Sequence, residues 1–253
     1  MSKTEREQQG YAPAQRDELT RYSAEQVLSI VFEYCFPRSV VDVGCGVGTW
    51  LSVCRAKEVS AVFGVDGSYV DASLLQIPQD CFKAADLAKP INIGRSFDLA
   101  ISLEVAEHLP SSMAETFVRT LIALAPVILF SAAVPRQGGF RHVNEQWPSY
   151  WVSRFAAEHY LVVDAIRPRI WNDDKILYWY RQNSLIFVRQ DVLAPSAVWR
   201  EARERTRTNQ LDLIHPELWG LTSRAVVSND CFAACPRRLW RSLLARWRTS
   251  HAK

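Results

Sequence analysis

Short, almost wholly apolar runs alternate along this chain with segments whose apolar residues return every third or fourth position. The runs cover residues 40–43, 61–65, 81–85, 97–102, 127–132, 161–166 and 184–188, and each is short enough for a buried strand. Between them, 49–58, 112–125 and 150–159 read as helices, with Ser149 as the cap of the last. Ahead of the first strand, Ser23 and Gln26 make a capping-box pattern for a helix to about Cys35. Val27, Leu28, Val31 and Tyr34 fall on one face of it, and Pro37-Arg38-Ser39 ends it. Strands alternating with helices predict an α/β fold: a Rossmann-like, doubly wound, seven-stranded and mostly parallel sheet with helices on both faces. Ligands of such a sheet sit beyond the C-terminal ends of its strands.

The chemistry-bearing residues cluster at those ends. Val40 to Trp50 reads V-V-D-V-G-C-G-V-G-T-W, a strand, a glycine-rich turn and a helix start. Glycine is needed where the backbone takes positive φ or lets a ligand come close. The spacing D-x-G-x-G-x-G differs from the dinucleotide fingerprint G-x-G-x-x-G, and no phosphate-binding G-x-x-x-x-G-K-[ST] occurs. An acid directly before the glycines repels a phosphate and suits a cationic ligand. The second strand ends on Asp66, eighteen residues past Gly48, where a carboxylate can accept both hydroxyls of a ribose and would repel a 2′-phosphate. The third run ends in Ala84-Ala85-Asp86-Leu87, and the fourth continues into Glu104-Val105-Ala106-Glu107-His108.

These four motifs, in order and each at a strand end, resemble the class I S-adenosylmethionine-dependent methyltransferases over roughly residues 20–190. The resemblance implies a donor site of Asp42, Gly44, Cys45, Gly46, Gly48, Asp66, Gly67, Asp86, Leu87, Leu103 and Glu104. Asp42 would favour the donor's ammonium or act through hydrogen bonds of the loop. Asp86 and the Leu87 backbone would meet the adenine edge, or Asp86 is a turn residue. Methyl transfer to a hydroxyl gains from a general base, and histidine is the natural one near neutral pH. The catalytic candidates are His108, His142 and Glu104; both histidines have a packing role as the alternative. Glu104, Glu107 and His108 are also similar to a divalent-metal pattern of ubiquinone-pathway and small-RNA 2′-O-methyltransferases, with His142 as a further ligand. Metal-free relatives share E-V-x-E-H, so no metal is assigned and the four residues stand as the alternative.

Composition changes this picture little. At 253 residues and 48% apolar content the chain can bury a large core. A polar start, Met1-Ser2-Lys3-Thr4-Glu5-Arg6-Glu7, and no apolar run long enough to span a bilayer lead us to expect a cytoplasmic enzyme. Six cysteines without C-x-x-C read as reduced core residues. The expected organisation is a flexible 1–18, a methyltransferase domain 19–190 and a C-terminal extension 191–253. The last stretch, 236–253, carries five arginines, one lysine and no acid, a formal +6 against +3 for the whole chain. Leu239, Trp240, Leu243, Leu244 and Trp247 lie on a helical stripe, fit for an anionic membrane surface, a partner, or its own domain. Nucleic acid is not expected, because the body of the chain lacks a basic stripe.

The loop 133–151, with Phe140, Trp147, Tyr150 and Trp151, should overhang the donor as the acceptor-side wall. The aromatics of 170–181 either stack on an acceptor or cover the sheet. The loop's H-V-N-E-Q-W-P-S-Y-W resembles that of bacterial methyltransferases associated with surface polysaccharide or glycolipid assembly. That resemblance implies O-methylation of a sugar hydroxyl. The alternatives are O- or N-methylation of a small natural product, and a non-catalytic domain that binds the donor or a partner.

Overall fold

A computed structural model of the chain describes residues 13–222. The chain divides into two units, residues 1–215 and 216–253, and the sheet lies wholly in the first. The basic stretch 236–253 falls outside the described residues. Among the described residues no helix is long and apolar enough to cross a membrane.

The seven strands are β1 (Ser39–Val43), β2 (Ala61–Asp66), β3 (Phe82–Ala84), β4 (Leu99–Leu103), β5 (Val127–Ser131), β6 (Tyr160–Val163) and β7 (Leu185–Arg189). They form one sheet in the order β3-β2-β1-β4-β5-β7-β6. β1 to β5 pair in parallel, and β7 runs antiparallel to both β5 and β6. The sheet order reverses between β1 and β4, which opens a crevice at their C-terminal ends. The strand bounds follow the apolar runs to within a few residues. β4 starts at Leu99 because Asp98 is engaged at the sheet's lower edge. Its carboxylate accepts from the backbone N–H groups of Arg38 and Ser39, at 2.8 and 2.9 Å.

The first helix, α1 (Pro13–Tyr34), is longer than its capping-box pattern predicts. Ser23 lies buried in mid-helix. Its hydroxyl donates to the Leu19 carbonyl at 2.6 Å and accepts from Leu177 N–H at 3.2 Å. A serine that satisfies itself on the carbonyl four residues back does not need a helix start. Pro13, which fits only a first turn, opens the helix instead. Residues 13–18 are thus helical rather than loose, and 1–12 fall outside the described residues.

The remaining helices are α2 (Thr49–Ala56), α3 (Ala114–Leu124), α4 (Pro148–Ala157), α5 (Arg167–Ile170), α6 (Tyr178–Asn183), α7 (Gln190–Leu193) and α8 (Ala197–Arg205). Two apolar layers result. Val27, Leu28, Val31, Leu51, Ile101 and Ile186 pack one face of the sheet; Val41, Phe117, Leu121, Ile128, Phe155 and Phe187 pack the other. Each fully buried side chain of this kind contributes about 1.5–3 kcal/mol.

Residues 191–215 belong with the sheet, which corrects the expected boundary after 190. Trp199 stacks on Tyr34 with ring centroids 5.1 Å apart, and Leu211 joins the second apolar layer. Asp212 accepts from both the N–H and the hydroxyl of Ser149, at 2.9 and 2.7 Å. Ser149 therefore lies inside the first turn of α4 rather than capping it. Proline at 148 suits that turn, and the cap is supplied from across the fold. The aromatic segment 170–181 is a cover on the sheet: Ile170, Ile176, Leu177, Trp179 and Tyr180 are buried, and Tyr180 meets Trp50 edge-on at 5.1 Å.

Candidate active site

β1 feeds the glycine turn. Gly44 has φ +91°, and a Cβ there would lie 2.3 Å from a methyl carbon of Val105. Only glycine lets this turn press against the segment that follows β4, so the glycine turn and the Glu104–His108 segment meet at this contact. Gly44 N–H closes on the Val65 carbonyl at 2.7 Å. Gly48 caps α2 in a left-handed conformation without a side chain to help.

Asp66, at the end of β2, is buried and fully engaged. Its Oδ2 accepts from Gly46 N–H at 2.7 Å and its Oδ1 from Gly67 N–H at 2.6 Å. The Tyr69 hydroxyl also donates to Oδ1. Asp42 and Cys45 are buried at the base of the turn. Burial, and then the neighbouring Asp66, pushes the Asp42 carboxyl well up from its ordinary value. Burial, and then Asp42, pushes the Cys45 thiol up. Leu103 is buried at the end of β4 and Leu87 is half-buried. Asp86 is exposed in a turn, where it accepts from Ala88 N–H at 3.0 Å and pairs with Lys89 at 3.1 Å.

A second cluster begins where β4 ends. Glu104 has φ +55°, a left-handed conformation that a non-glycine residue adopts at a cost. Its N–H reaches both the carbonyl and the hydroxyl of Ser131 at 3.1 Å. Its carboxylate accepts from Gln137 Nε2 at 2.7 Å and from Asn183 Nδ2 at 3.0 Å. Burial pushes this carboxyl up, against those hydrogen bonds.

One turn on, Glu107 is completely buried, and neither carboxyl oxygen makes a hydrogen bond of good geometry, although its own N–H, the Ala133 N–H and the Glu104 carboxyl act on it. Burial, and then the charge of Glu104, pushes its carboxyl well above the ordinary range. Glu107, His108 and His142 bring three potential ligand atoms within 4.8 Å of one another. The two imidazoles meet edge-on, with centroids 4.9 Å apart. Desolvation, and then His142, pushes His108 below its usual value. Glu104 is not one of this trio, although the sequence pattern grouped it there.

The long loop after β5 packs on this turn. Val143 and Asn144 N–H groups both donate to the Glu107 carbonyl, at 2.8 and 3.0 Å. Gly139 lies so close to the His142 ring that a Cβ would be 2.3 Å from it. Phe140 and Val143 are exposed on the same loop. Four residues at the site carried no role in the sequence reading: Tyr69, Gln137, Glu145 and Asn183. Glu145 had a signal, since it follows His142 by three residues. Asn183 had none, because only the tertiary fold brings it to Glu104.

No curated protein matches the chain in sequence. Among solved structures, magnesium protoporphyrin IX methyltransferase from Synechocystis PCC 6803 with bound SAH is similar at TM-score 0.52 and 21% identity, covering 73% of this chain and 92% of that one. The methyltransferase domain of bacterial CtHen1 is similar at TM-score 0.51 and 18% identity, over 68% and 98% of the two chains. A sugar N-methyltransferase from Streptoalloteichus is similar at TM-score 0.51 and 17% identity, over 66% and 87%. These likenesses are of fold, the Rossmann-like fold of the class I S-adenosylmethionine-dependent methyltransferases. The family described as "Methyltransferase domain" matches residues 9–166, more than half the chain, and the chain belongs to that family.

Proposed function

We propose that the chain transfers the methyl group of S-adenosylmethionine to a hydroxyl of a sugar in a glycan or glycolipid. The observation that carries the choice of a hydroxyl is the trio Glu107, His108 and His142, joined to the donor turn through the Gly44–Val105 contact. A neutral amine is nucleophilic without a base and can shed its proton after attack; a hydroxyl is a weak nucleophile until a base takes its proton. The acceptor oxygen attacks the sulfonium methyl, the carbon–sulfur bond breaks, and the electron pair stays on the sulfur of the departing S-adenosylhomocysteine. The hydroxyl proton goes to an imidazole of His108 or His142. Alignment of the two substrates supplies up to ~7–11 kcal/mol, and a positioned base a further factor of roughly 10²–10⁴.

On the donor side, Asp66 takes the ribose hydroxyls, with its carboxylate held by Gly46 and Gly67. Gly44, Gly46 and Gly48 let the backbone approach the amino-acid end, and Asp42 lies beneath them. On the acceptor side, exposed Phe140 offers an aromatic face to a sugar ring. The sugar N-methyltransferase among the structural neighbours, and the resemblance of the 142–151 loop, support a sugar acceptor. This reading places the enzyme in the cytoplasm, with lipid-linked acceptors at the membrane's inner face. Co-sedimentation of the chain with anionic vesicles, with and without 236–253, tests that placement.

A second reading is favoured by one observation: the two buried oxygens of Glu107 have no partner beside two imidazoles. This donor set fits a divalent cation, held by Glu107, His108 and His142. Such a cation, when bound, lowers the pKa of a hydroxyl. In either reading the chain's own residues orient the acceptor; only in the first, with the imidazole lone pairs free, does His108 or His142 receive its proton.

The test is transfer from labelled donor to cell-envelope glycans and to small-molecule pools, with and without chelator. Label in glycan or glycolipid supports the proposal, and label only in small natural products overturns the acceptor class. Donor binding without any transfer marks a non-catalytic domain. Activity that is lost to chelator and restored by one divalent ion selects the second reading.

A further inference from the structure

His142 stands on a stretch between β5 and α4 with no helix or strand to hold it. One carboxylate sets the shape of that stretch. Glu145 Oε2 accepts from the N–H of Arg136 at 2.7 Å, and Oε1 accepts from the N–H of Gly138 at 2.7 Å. The same Oε1 lies 3.0 Å from Nδ1 of His142. Arg136 and Arg141 both have positive φ, +72° and +58°, which non-glycine residues hold only where their surroundings enforce it. The Glu145 and His142 side chains are only 19% and 12% exposed, so water competes weakly for these bonds.

We propose that Glu145 is a positioning residue for the acceptor-side centre, holding the His142 proton on Nδ1 while it folds the loop that carries the ring. This rests on the reading that His142 serves the acceptor. The chemistry follows from what each group can do. An ionised carboxylate only accepts, so the ring nitrogen facing it carries the hydrogen. In the neutral ring, Nε2 is then the nitrogen with the lone pair, ready for an acceptor proton or a cation. Uncorrected, the ring would exchange tautomers and rotate, and part of the population would present an N–H where a lone pair is required. A carboxylate behind an imidazole plays this part both in metal centres and beside catalytic bases. The loop bonds to Arg136 and Gly138 make tautomer and position one event: when the carboxylate is seated, both are set.

The experiment compares the full chain with Glu145→Ala and Glu145→Gln. Long-range proton–nitrogen spectra of labelled histidine read the tautomer, calorimetry with Mn²⁺ reads the lone-pair centre, and S-adenosylhomocysteine affinity reports the donor side. The expected result is Nδ1–H at His142 in the wild type and a tautomer mixture in the alanine variant. That variant also loses kcat with KM for the donor unchanged, and any Mn²⁺ affinity falls roughly 10–100-fold. The glutamine variant keeps Nδ1–H, because its amide carbonyl still accepts, and recovers part of kcat. An alanine variant with the wild-type tautomer and unchanged kcat overturns the proposal. Where alanine also abolishes S-adenosylhomocysteine binding, glutamine decides: Nδ1–H retained supports the proposal, and Nδ1–H lost overturns it. A wild type that binds no S-adenosylhomocysteine overturns the functional reading, while the tautomer still reports on Glu145.

Discussion

Asp66 and Glu107 are both buried acids, one at the end of β2 and one just beyond β4, the strands that flank β1, and the protein treats them in opposite ways. Asp66 receives two backbone N–H groups and a phenol hydroxyl. Glu107 receives no hydrogen bond of good geometry at either oxygen, only the weaker influence of its own N–H and that of Ala133. Buried polar groups in folded proteins are nearly always paired, so a completely buried carboxylate without partners is retained at a cost in stability. The Asp66 side is thus finished architecture. The Glu107 side is left incomplete, and that incompleteness is what the proposed acceptor chemistry uses.

The largest effect should come from the incomplete side. His142→Ala or His108→Ala removes a proton acceptor and should lower kcat by roughly 10²–10⁴. S-adenosylhomocysteine affinity should stay within about twofold, because Asp66 and its partners are untouched. Steady-state kinetics and calorimetry check the pair. Histidine variants that lost donor affinity as much as rate would erase the division between the two sides.

Next is the finished side. Asp66→Ala should weaken S-adenosylhomocysteine by at least about tenfold, since a hydrogen bond to a charged group is worth about 1.5–3 kcal/mol. It also strips Gly46 and Gly67 of their acceptor, so the glycine turn loosens with it. An unchanged affinity would remove Asp66 from the donor site.

A smaller effect with the opposite sign is expected at Glu107. Glu107→Met keeps the volume and removes the unpartnered oxygens, so thermal stability should rise while activity is lost. Relief of about 1–3 kcal/mol, at ~2–4 °C per kcal/mol for a chain of this size, is within reach of calorimetry. A lower melting temperature would mean that Glu107 is stabilising, and the contrast with Asp66 would fail.

What could be read from the sequence divides along the same line. The glycine turn, Asp66 and the strand runs were legible because each is a local statement: positive φ demands glycine, and a buried strand demands an apolar run. Local signals also misled where a distant partner overrode them. Ser23 looked like a cap until Leu177 and its own helix claimed its hydroxyl, and Ser149 looked like one until Asp212 took that role. Asp86 read as an adenine contact or a turn residue, and its carboxylate is spent on Ala88 and Lys89. Glu107 and His108 were visible as a pattern with Glu104, whose charge acts on Glu107 but which stands outside the trio of potential ligand atoms. Glu104 turns to Gln137 and Asn183, residues 33 and 79 positions away, and no spacing rule carries that information. The docking of 191–215 was hidden for the same reason, since Trp199, Leu211 and Asp212 are isolated contacts in an otherwise polar stretch.

The smallest and sharpest test concerns Tyr69, the partner of Asp66 that is not backbone. Its residue is 81% exposed, yet its hydroxyl reaches the buried carboxylate that the proposed function gives to the ribose. Desolvation and the bond to Asp66 push the phenol up, so it remains a donor at neutral pH. A ligand that needs the carboxylate must displace this hydroxyl first. The net worth of such a bond is about 0.5–1.5 kcal/mol, so Tyr69→Phe should tighten S-adenosylhomocysteine by about two- to tenfold. In the Asp66→Ala background the same substitution should change nothing, because the hydroxyl then has no carboxylate to occupy. Weaker binding in Tyr69→Phe would show the opposite relation, with the phenol holding Asp66 in place for the donor rather than standing in its way. In that case Asp66 would need a side chain to complete it, as His142 needs Glu145, and the two halves of the site would be built alike.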